Sequence, residues 1–399
     1  MRVLFLTPEL PHPADSGGTI KTSTILTYLG RRHDVHILCF RRGPLTQEQA
    51  RWCATVGQVE TVPLNRGRTL LNLLRSYLRR IPLSIERNRS RRMAELVLAR
   101  LRDGEYDAVF VDSWLMAQYL PPDFPGLALL HEHNAEHVLW HRQAQQERNP
   151  LLRALTRREH QRVRSYEAAI LPRFDIVFAV SEVDREELIE LGAEAERLRV
   201  LPNLPDPSLL ERPGLSFGAT EPMILYFGTL SWQPNLEGLE RFLCSVFPLV
   251  RQRMSDVRLV IAGKGAPSRL RRLARRTAGV EFLGRVADAE PLYRRARMFV
   301  EASPTGGGTR LKVLNALARG LPVVASLQGA EGLETVPGEH LLVAHDAESM
   351  AEAAGHLMAD DGLWRALSEN GRALVRSRYL AEVAYRPLDE VLSGARATA

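Results

Sequence analysis

The chain has 399 residues, 45% apolar and 25% charged, with a formal net charge of +6 and a pI near 9.5. That length exceeds what one hydrophobic core sustains, so two domains are expected, and the ordinary composition excludes a disordered or fibrous chain. No apolar run reaches the roughly 18 to 20 residues of a membrane span, and Met1-Arg2-Val3-Leu4-Phe5-Leu6 reads as a strand instead of a signal peptide, so a cytoplasmic protein is expected.

In the first half, strand-like apolar runs recur at Val3 to Thr7, Val35 to Phe40, Val59 to Val62, Ala108 to Val111, Leu127 to Leu130, Ile176 to Ala179 and Leu198 to Leu201. Segments of helical period, such as Ser23 to Leu29, Arg91 to Leu101 and Val183 to Leu191, lie between them, and this alternation implies a doubly wound parallel sheet. Ser16-Gly17-Gly18 closes the long loop after the first strand, and Lys21 in the first turn of the following helix suggests a nearby anion; a plain helix-start turn accounts for the pattern equally well.

Arginine dominates the positive charge: Lys21, Lys264 and Lys312 are the only lysines. Eleven arginines fall between Arg66 and Arg102 against Glu86 and Glu95, and six more between Arg148 and Arg164. A solvated helical face explains such runs. The second reading is a peripheral patch on the inner face of a membrane that helps reach a lipid-linked acceptor, since each cation near an anionic leaflet contributes about 1 kcal/mol. No nucleic-acid partner is expected. Cys39, Cys53 and Cys244, odd in number and far apart, read as buried reduced thiols.

After the strand Leu127 to Leu130 comes His131-Glu132-His133-Asn134-Ala135-Glu136-His137. Imidazole and carboxylate are zinc ligands, but this spacing lacks the helical H-E-x-x-H separation, so no metal is expected. Residues 204–222, rich in proline and glycine and without periodicity, read as the linker between domains. Beyond it the strand pattern repeats at Ile224 to Phe227, Leu259 to Ala262, Val280 to Leu283, Met298 to Val300, Val323 to Ala325 and His340 to Val343. Leu363 to Leu392 reads as two helices broken near Tyr379.

The richest stretch is Met298 to Leu333. A strand runs into Gly306-Gly307-Gly308, and a helix opens near Thr309 with Arg310 and Lys312 at its start and a stop at Gly320. Glycines let backbone approach a ligand, and helix-start N–H groups and the macrodipole favour an anion there. Two cations at a helix start oppose that dipole, which points to something negative between them. A tight βα turn with solvated cations is the bland alternative. The cradle would lie at the carboxyl end of a parallel strand, where open α/β sheets bind ligands.

G-G-G-T-R-L-K-V-L-N-A-L-A-R-G-L-P-V-V, followed by G-A-E-G-L, resembles the donor-phosphate motif of family 4 retaining glycosyltransferases of the GT-B fold. That family carries a pair of Glu residues, the second opening E-A-M-A-x-G-x-P-V-V. Gly307 and Asn315 stand in their places; the glycine resembles a subgroup with G-G-G-T-R-L-K, and the asparagine departs even from it. The segment around His133 is similar to the family's H-N-x-E element, whose histidine contacts the transferred sugar; His133 matches best and His131 is the runner-up. Family enzymes also carry an Arg after the glycine of Tyr226-Phe227-Gly228 and a Lys further on, where this chain has Thr229 and Asn235, so Arg310 and Lys312 are the expected substitute cations. Lys264 lies in an element resembling the next family motif, and Gly284 and Arg285 in the one that contacts the nucleobase.

The resemblance implies an α/β protein of two Rossmann-like, doubly wound parallel-sheet domains facing a central cleft, with a C-terminal helix crossing back to the first domain. The implied boundaries are 1–203 for the acceptor-binding domain, 204–222 for the linker, 223–376 for the donor-binding domain and 377–399 for the returning helix. The implied activity is sugar transfer from a nucleotide diphosphate sugar, as co-substrate and with no other cofactor, to a glycan, lipid-linked or small-molecule acceptor in polysaccharide or glycoconjugate biosynthesis. It is expected to be retaining and metal-independent. His133, Arg310 and Lys312 are the expected catalytic residues. Gly228, Thr229, Lys264, Gly284, Arg285, Gly307, Gly308, Thr309, Leu311 and Asn315 are expected at the donor, and Gly17, Gly18 and Asn134 at an acceptor or phosphate loop. A nucleotide-sugar epimerase of the same fold, and a decayed relative acting as a binding protein, are the alternatives.

Overall fold

A computed structural model describes the chain apart from Asn65, Arg66, Arg68, Arg148, Gly306, Gly307, Gly308 and Ala399 and the side chains of residues 395–398. The expected donor residues Gly307 and Gly308 thus lie outside the described residues. Two compact units are formed, Met1–Pro202 with Tyr385–Ala399, and Asn203–Ala384.

In the first unit β1 (Arg2–Thr7), β2 (Asp34–Arg41), β3 (Gln58–Pro63), β4 (Ala108–Asp112), β5 (Leu127–His131), β6 (Ile176–Ala179) and β7 (Leu198–Val200) make one parallel sheet in the order β3-β2-β1-β4-β5-β6-β7. Helices cover both faces, so the central strands are apolar without alternation, and Val3 to Leu6 and Val109 to Val111 are fully buried. Strand order reverses between β1 and β4, which opens a crevice at their carboxyl ends. The helix Gly17–Gly30 starts there on a capping box, the Ser16 hydroxyl accepting from the Thr19 N–H and the Thr19 hydroxyl from the Ser16 N–H.

The second unit repeats the plan with β8 (Met223–Phe227), β9 (Arg258–Ala262), β10 (Val280–Gly284), β11 (Met298–Glu301), β12 (Val323–Ser326) and β13 (Leu342–Ala344), ordered β10-β9-β8-β11-β12-β13. Its switch point lies between β8 and β11. The helix Leu311–Arg319 buries Val313, Leu314 and Leu317 and presents its start toward that end of the sheet, two residues later than the sequence suggests.

Three expectations change. Residues 204–222 cluster with the second unit and are not a separate linker: the helix Ser208–Glu211 lies in this segment, the Pro213 carbonyl accepts from Arg319, and the Leu210 and Arg212 carbonyls accept from Arg372. The segment that joins the first unit starts at Tyr385, because the helix Asp361–Arg378 belongs to the second. Of the thiols, Cys39 is buried, Cys53 half-buried and Cys244 exposed.

Where β8 and β9 end, Gly263 sits at φ +156, and a Cβ on it would lie 1.9 Å from the Gly228 carbonyl oxygen. Only glycine lets these loops touch. Gly263→Ala should cost about 1–3 kcal/mol from backbone strain alone, with the clash added, and should displace Gly228; thermal melts that show an unchanged midpoint would contradict this packing.

Candidate functional site

At the switch point of the first unit the chemistry gathers on Asp112, the last residue of β4. Its side chain is fully buried. Oδ1 accepts from His131 Nδ1 and His133 Nε2, each at 2.8 Å, and Oδ2 from the hydroxyls of Thr7 at 3.1 Å and Thr22 at 2.6 Å. A carboxylate only accepts, so each imidazole turns its N–H toward it, which fixes both rings. Burial opposes the charge on Asp112, yet the neighbouring His133 and His131 hold its carboxyl below the usual carboxylate range. Burial, working against the hydrogen bond to Asp112, lowers the His131 pKa to about 3. His131 is therefore a buried structural imidazole. His133 is partly exposed, and a Cβ on Gly18 would lie 3.7 Å from its Nδ1, so the Gly17-Gly18 turn and His133 share one wall.

Asp112, His131 and His133 are also the residues whose ligand atoms, all within 4.8 Å of one another, could hold a metal ion. The hydrogen bonds and the buried ammonium of Lys21 offer that carboxylate compensation of another kind. Lys21 does not reach out to an anion as expected from the sequence: its Nζ donates to the Leu201 carbonyl at 2.6 Å and to that of Pro202, 5.1 Å from the Tyr385 ring centroid. Burial lowers its pKa well below the normal lysine value, with Asp112 acting the other way. It thereby binds together the residues where the chain leaves the first unit and where it returns.

Behind His133 lies a group of acids. Glu167 accepts from the Glu136 and His137 N–H groups at 2.9 Å each and from His137 Nδ1 at 2.7 Å, capping the helix Glu136–Gln146, which has no side-chain cap of its own. Burial, then the charges of Glu167 and Glu136, raise the Glu132 pKa well above normal; burial and Glu167 raise Glu136 to about 8, although the Asn134 side chain hydrogen-bonds it. Asn134 thus serves the loop's own geometry.

In the second unit the equivalent position is Glu301, the last residue of β11, fully buried and accepting from the Ser303 N–H. It pairs with Lys312, whose Nζ also donates to Asn235 Oδ1 at 2.7 Å and to the Tyr226 hydroxyl at 3.2 Å. Burial lowers the Lys312 pKa while Glu301 raises it; burial opposes ionisation of Glu301 but Lys312 and Arg310 keep its pKa low. Gly329 leaves the necessary space, since a Cβ there would lie 2.6 Å from Glu301 Cγ. The sequence suggests Lys312 as a cation for the donor phosphates; in the structure it carries an internal counter-ion, with all three of its donors engaged. Asn235, where the resemblance leads one to expect a lysine, accepts from this ammonium.

Arg310 donates to the Thr305 carbonyl at 3.2 Å and the Gln328 carbonyl at 3.1 Å, tying Thr305 to the helix Leu327–Ala330. Thr309 holds Asn203 through its hydroxyl and carbonyl, and Asn315 Oδ1 accepts from the Asp206 N–H at 2.9 Å, so the amide spends its oxygen on its own unit. Gly228, Lys264 and Gly284 follow or end β8, β9 and β10 on the same edge as Glu301: the Gly228 N–H donates to Ala262, the Lys264 carbonyl accepts from Leu230 and the Gly284 carbonyl from Gly263. Thr229 contributes a carbonyl to Asn235 Nδ2 at 2.9 Å. Arg285 follows Gly284 in the turn, and Leu311, half-buried, opens the helix.

Residues 17–209 match Glycosyltransferase Family 4, and residues 221–360 match Glycosyl transferases group 1. The chain therefore belongs to the glycosyltransferases, a family 4 domain followed by a group 1 domain in the GT-B fold. A 44.6 kDa protein in the cps region of Klebsiella pneumoniae is 31% identical over 130 residues, 31% of this chain and 34% of that protein, so the match spans about a third of the curated relative. Sucrose-phosphate synthase from Thermosynechococcus elongatus has a TM-score of 0.73 at 20% identity, covering 100% of each chain. HepE of Anabaena in complex with UDP gives 0.70 at 16% identity, over 99% of this chain and 100% of that one.

His131 carries a pH dependence. Its folded pKa lies below the unfolded one, so the unfolded chain binds the extra proton and stability falls as pH drops below about 6.5. Between pH 7 and pH 5 the loss from this residue is about 2 kcal/mol. His131→Asn, whose amide nitrogen can replace Nδ1 as donor to Asp112, should melt with a visibly flatter acid slope; an identical slope in denaturant titrations at both pH values would contradict a neutral buried His131.

Proposed function

We propose that the chain moves a sugar from a nucleotide diphosphate sugar, bound by the second unit, to an acceptor bound mainly by the first. The observation that carries this reading is Lys312, a buried ammonium held by Glu301 at the carboxyl edge of β8 and β11, beside the Gly228 turn and the start of a helix. HepE, in structures of the same fold, is bound to UDP, to UDP and glucose, and to UDP-glucose. Cleavage of the anomeric bond leaves negative charge on the β-phosphate, and fixed cations and dipoles aimed at that charge stabilise the transition state. Lys312 meets the phosphate by exchanging its Asn235 partner for it, while Glu301 keeps the ammonium in place. Arg310, held by the Thr305 and Gln328 carbonyls, adds a second positive charge.

His133, oriented by Asp112, contacts the transferred sugar. Retention follows from family 4 membership, and two cations in place of a divalent ion make the reaction independent of metal. The acceptor is a glycan, a lipid-linked molecule or a small molecule, and the arginine runs of the first unit fit peripheral contact with the inner face of a membrane. No helix among the described residues is long and apolar enough to cross one.

Calorimetry with nucleoside diphosphates, in EDTA, tests the donor site. A charge-assisted hydrogen bond contributes about 1.5 to 3 kcal/mol, so Lys312→Met and Arg310→Ala should each weaken binding roughly 10- to 150-fold. Lys312→Met also strands Glu301, and breaking a buried pair costs about 3–5 kcal/mol of stability. Adding Glu301→Gln should recover stability without recovering affinity. Asn315→Glu retains an acceptor for the Asp206 N–H and should be tolerated. Unchanged affinity in both cation variants, or binding and turnover abolished by EDTA and restored by magnesium, would overturn the reading.

A further inference from the structure

The side chains that gather at the ends of β4 and β5 orient a histidine, and they also make a donor set for a cation. His131 Nδ1 and His133 Nε2 both lie 2.8 Å from Asp112 Oδ1, and the two rings stand 4.8 Å apart between centroids. Among the described residues no other three histidine, cysteine, aspartate or glutamate side chains bring ligand atoms together in this way. Two imidazoles and one carboxylate suit a divalent transition ion such as zinc, which takes three protein ligands and an open fourth position in sites of this kind. Bonds of about 2.0 to 2.2 Å place tetrahedral ligand atoms about 3.4 Å apart. Each 2.8 Å contact therefore has to open by only about half an ångström.

The carboxylate is held from behind, since Oδ2 accepts from the Thr7 and Thr22 hydroxyls and leaves Oδ1 as the ligand. Entry is from one side: the Asp112 and His131 side chains are fully buried, whereas that of His133 is 21% exposed. Two features make the hold reversible. His131 Nε2 is buried without a hydrogen-bond partner among the described residues, so the proton that moves there when Nδ1 binds an ion finds no acceptor. The ammonium of Lys21, buried nearby, repels a dication.

Occupation changes what His133 offers a substrate. While its Nε2–H donates to Asp112, its Nδ1, on the Gly18 wall, is an acceptor for a sugar hydroxyl. An ion on Nε2 moves the ring proton to Nδ1 and turns that acceptor into a donor. It also sets a dication beside the sugar, where cleavage of the anomeric bond develops positive charge, and like charge there raises the barrier.

We propose that Asp112, His131 and His133 take up a zinc-class divalent ion reversibly and that its binding switches sugar transfer off. The switch rests on reading His133 as the sugar contact; the ion site does not. Because the ion inhibits, transfer itself stays independent of metal.

Cobalt(II), added to chelator-treated full chain without donor, is the test. One equivalent should bind and give the intense visible bands of a four- or five-coordinate ion, and zinc should displace it. His133→Ala and Asp112→Asn should each weaken cobalt binding at least about tenfold. His141→Gln, which breaks the separate pair His141 and His160 with rings 5.0 Å apart, should leave it unchanged. Thermal melts show which variants are folded, and His133→Ala, at a partly exposed position, carries the test if Asp112→Asn does not fold. One equivalent of zinc should lower nucleoside diphosphate release at least about tenfold, and EDTA should restore it. Absence of the cobalt bands, bands that persist in His133→Ala, or bands lost in His141→Gln would overturn the site. Undiminished release by zinc-loaded protein would overturn the switch. Cobalt binding by a protein that releases nucleoside diphosphate from no donor would overturn the switch together with the transfer reading and leave the ion site alone standing.

Discussion

A carboxylate taken out of water at the end of a β-strand is the constraint on which each unit depends. Desolvation of such a charge is costly enough that it persists only when charged or N–H and O–H partners surround it. Asp112 meets the condition with Thr7 from β1, Thr22 from the first helix, His131 at the end of β5 and His133 just beyond it, so one side chain ties these elements to β4 at the switch point. Glu301 meets it with Lys312 and the Ser303 N–H. Both acids end the strand directly across the switch from the first strand of their unit, in the related strings Phe110-Val111-Asp112 and Phe299-Val300-Glu301. The two units use the same device for different ends: in one it orients a histidine, in the other it holds an ammonium.

This arrangement accounts for the departures from the family pattern. After the Gly228 turn, where the resemblance leads one to expect a lysine, this chain has Asn235, and the Lys312 ammonium reaches it from the helix Leu311–Arg319. Carrying a buried lysine there requires a buried acid beneath it, which explains Glu301, and a residue without a side chain at Gly329. Asn315 then needs no charge, because its amide oxygen serves the Asp206 N–H of the segment that opens the second unit.

The parallel strands were readable from the sequence because buried strands of a parallel sheet are continuous apolar runs, and each of the thirteen expected runs overlaps a strand. Helices with mixed surfaces were not. The helix Leu70–Arg79 has leucines on a face that the unit does not bury, and Glu136–Gln146 takes its cap from Glu167, thirty-one residues away, so local pattern could not announce either. His133 was legible through its neighbours in H-E-H-N; Asp112 was not, since a single Asp closing a strand carries no local signal and its partners come from three distant segments. Lys312 was found as a cation, but its pairing depends on Glu301 eleven residues earlier across a glycine loop, where spacing says nothing of contact. The direction of Lys21 was hidden for the same reason, its carbonyl partners being 180 and 181 residues away.

The decisive question is whether Asp112 and His133 act on a sugar being transferred. The most direct measurement is release of nucleoside diphosphate from a panel of nucleotide diphosphate sugars by the wild type, Asp112→Asn and His133→Ala, with donor affinity measured alongside. Contacts made in the transition state alter turnover more than ground-state binding. If Asp112 and His133 do so, the wild type releases nucleoside diphosphate, and in both variants turnover falls at least about tenfold, or 1.4 kcal/mol, at nearly unchanged donor affinity. Equal turnover in all three proteins, or no release from any donor by the wild type, would contradict it.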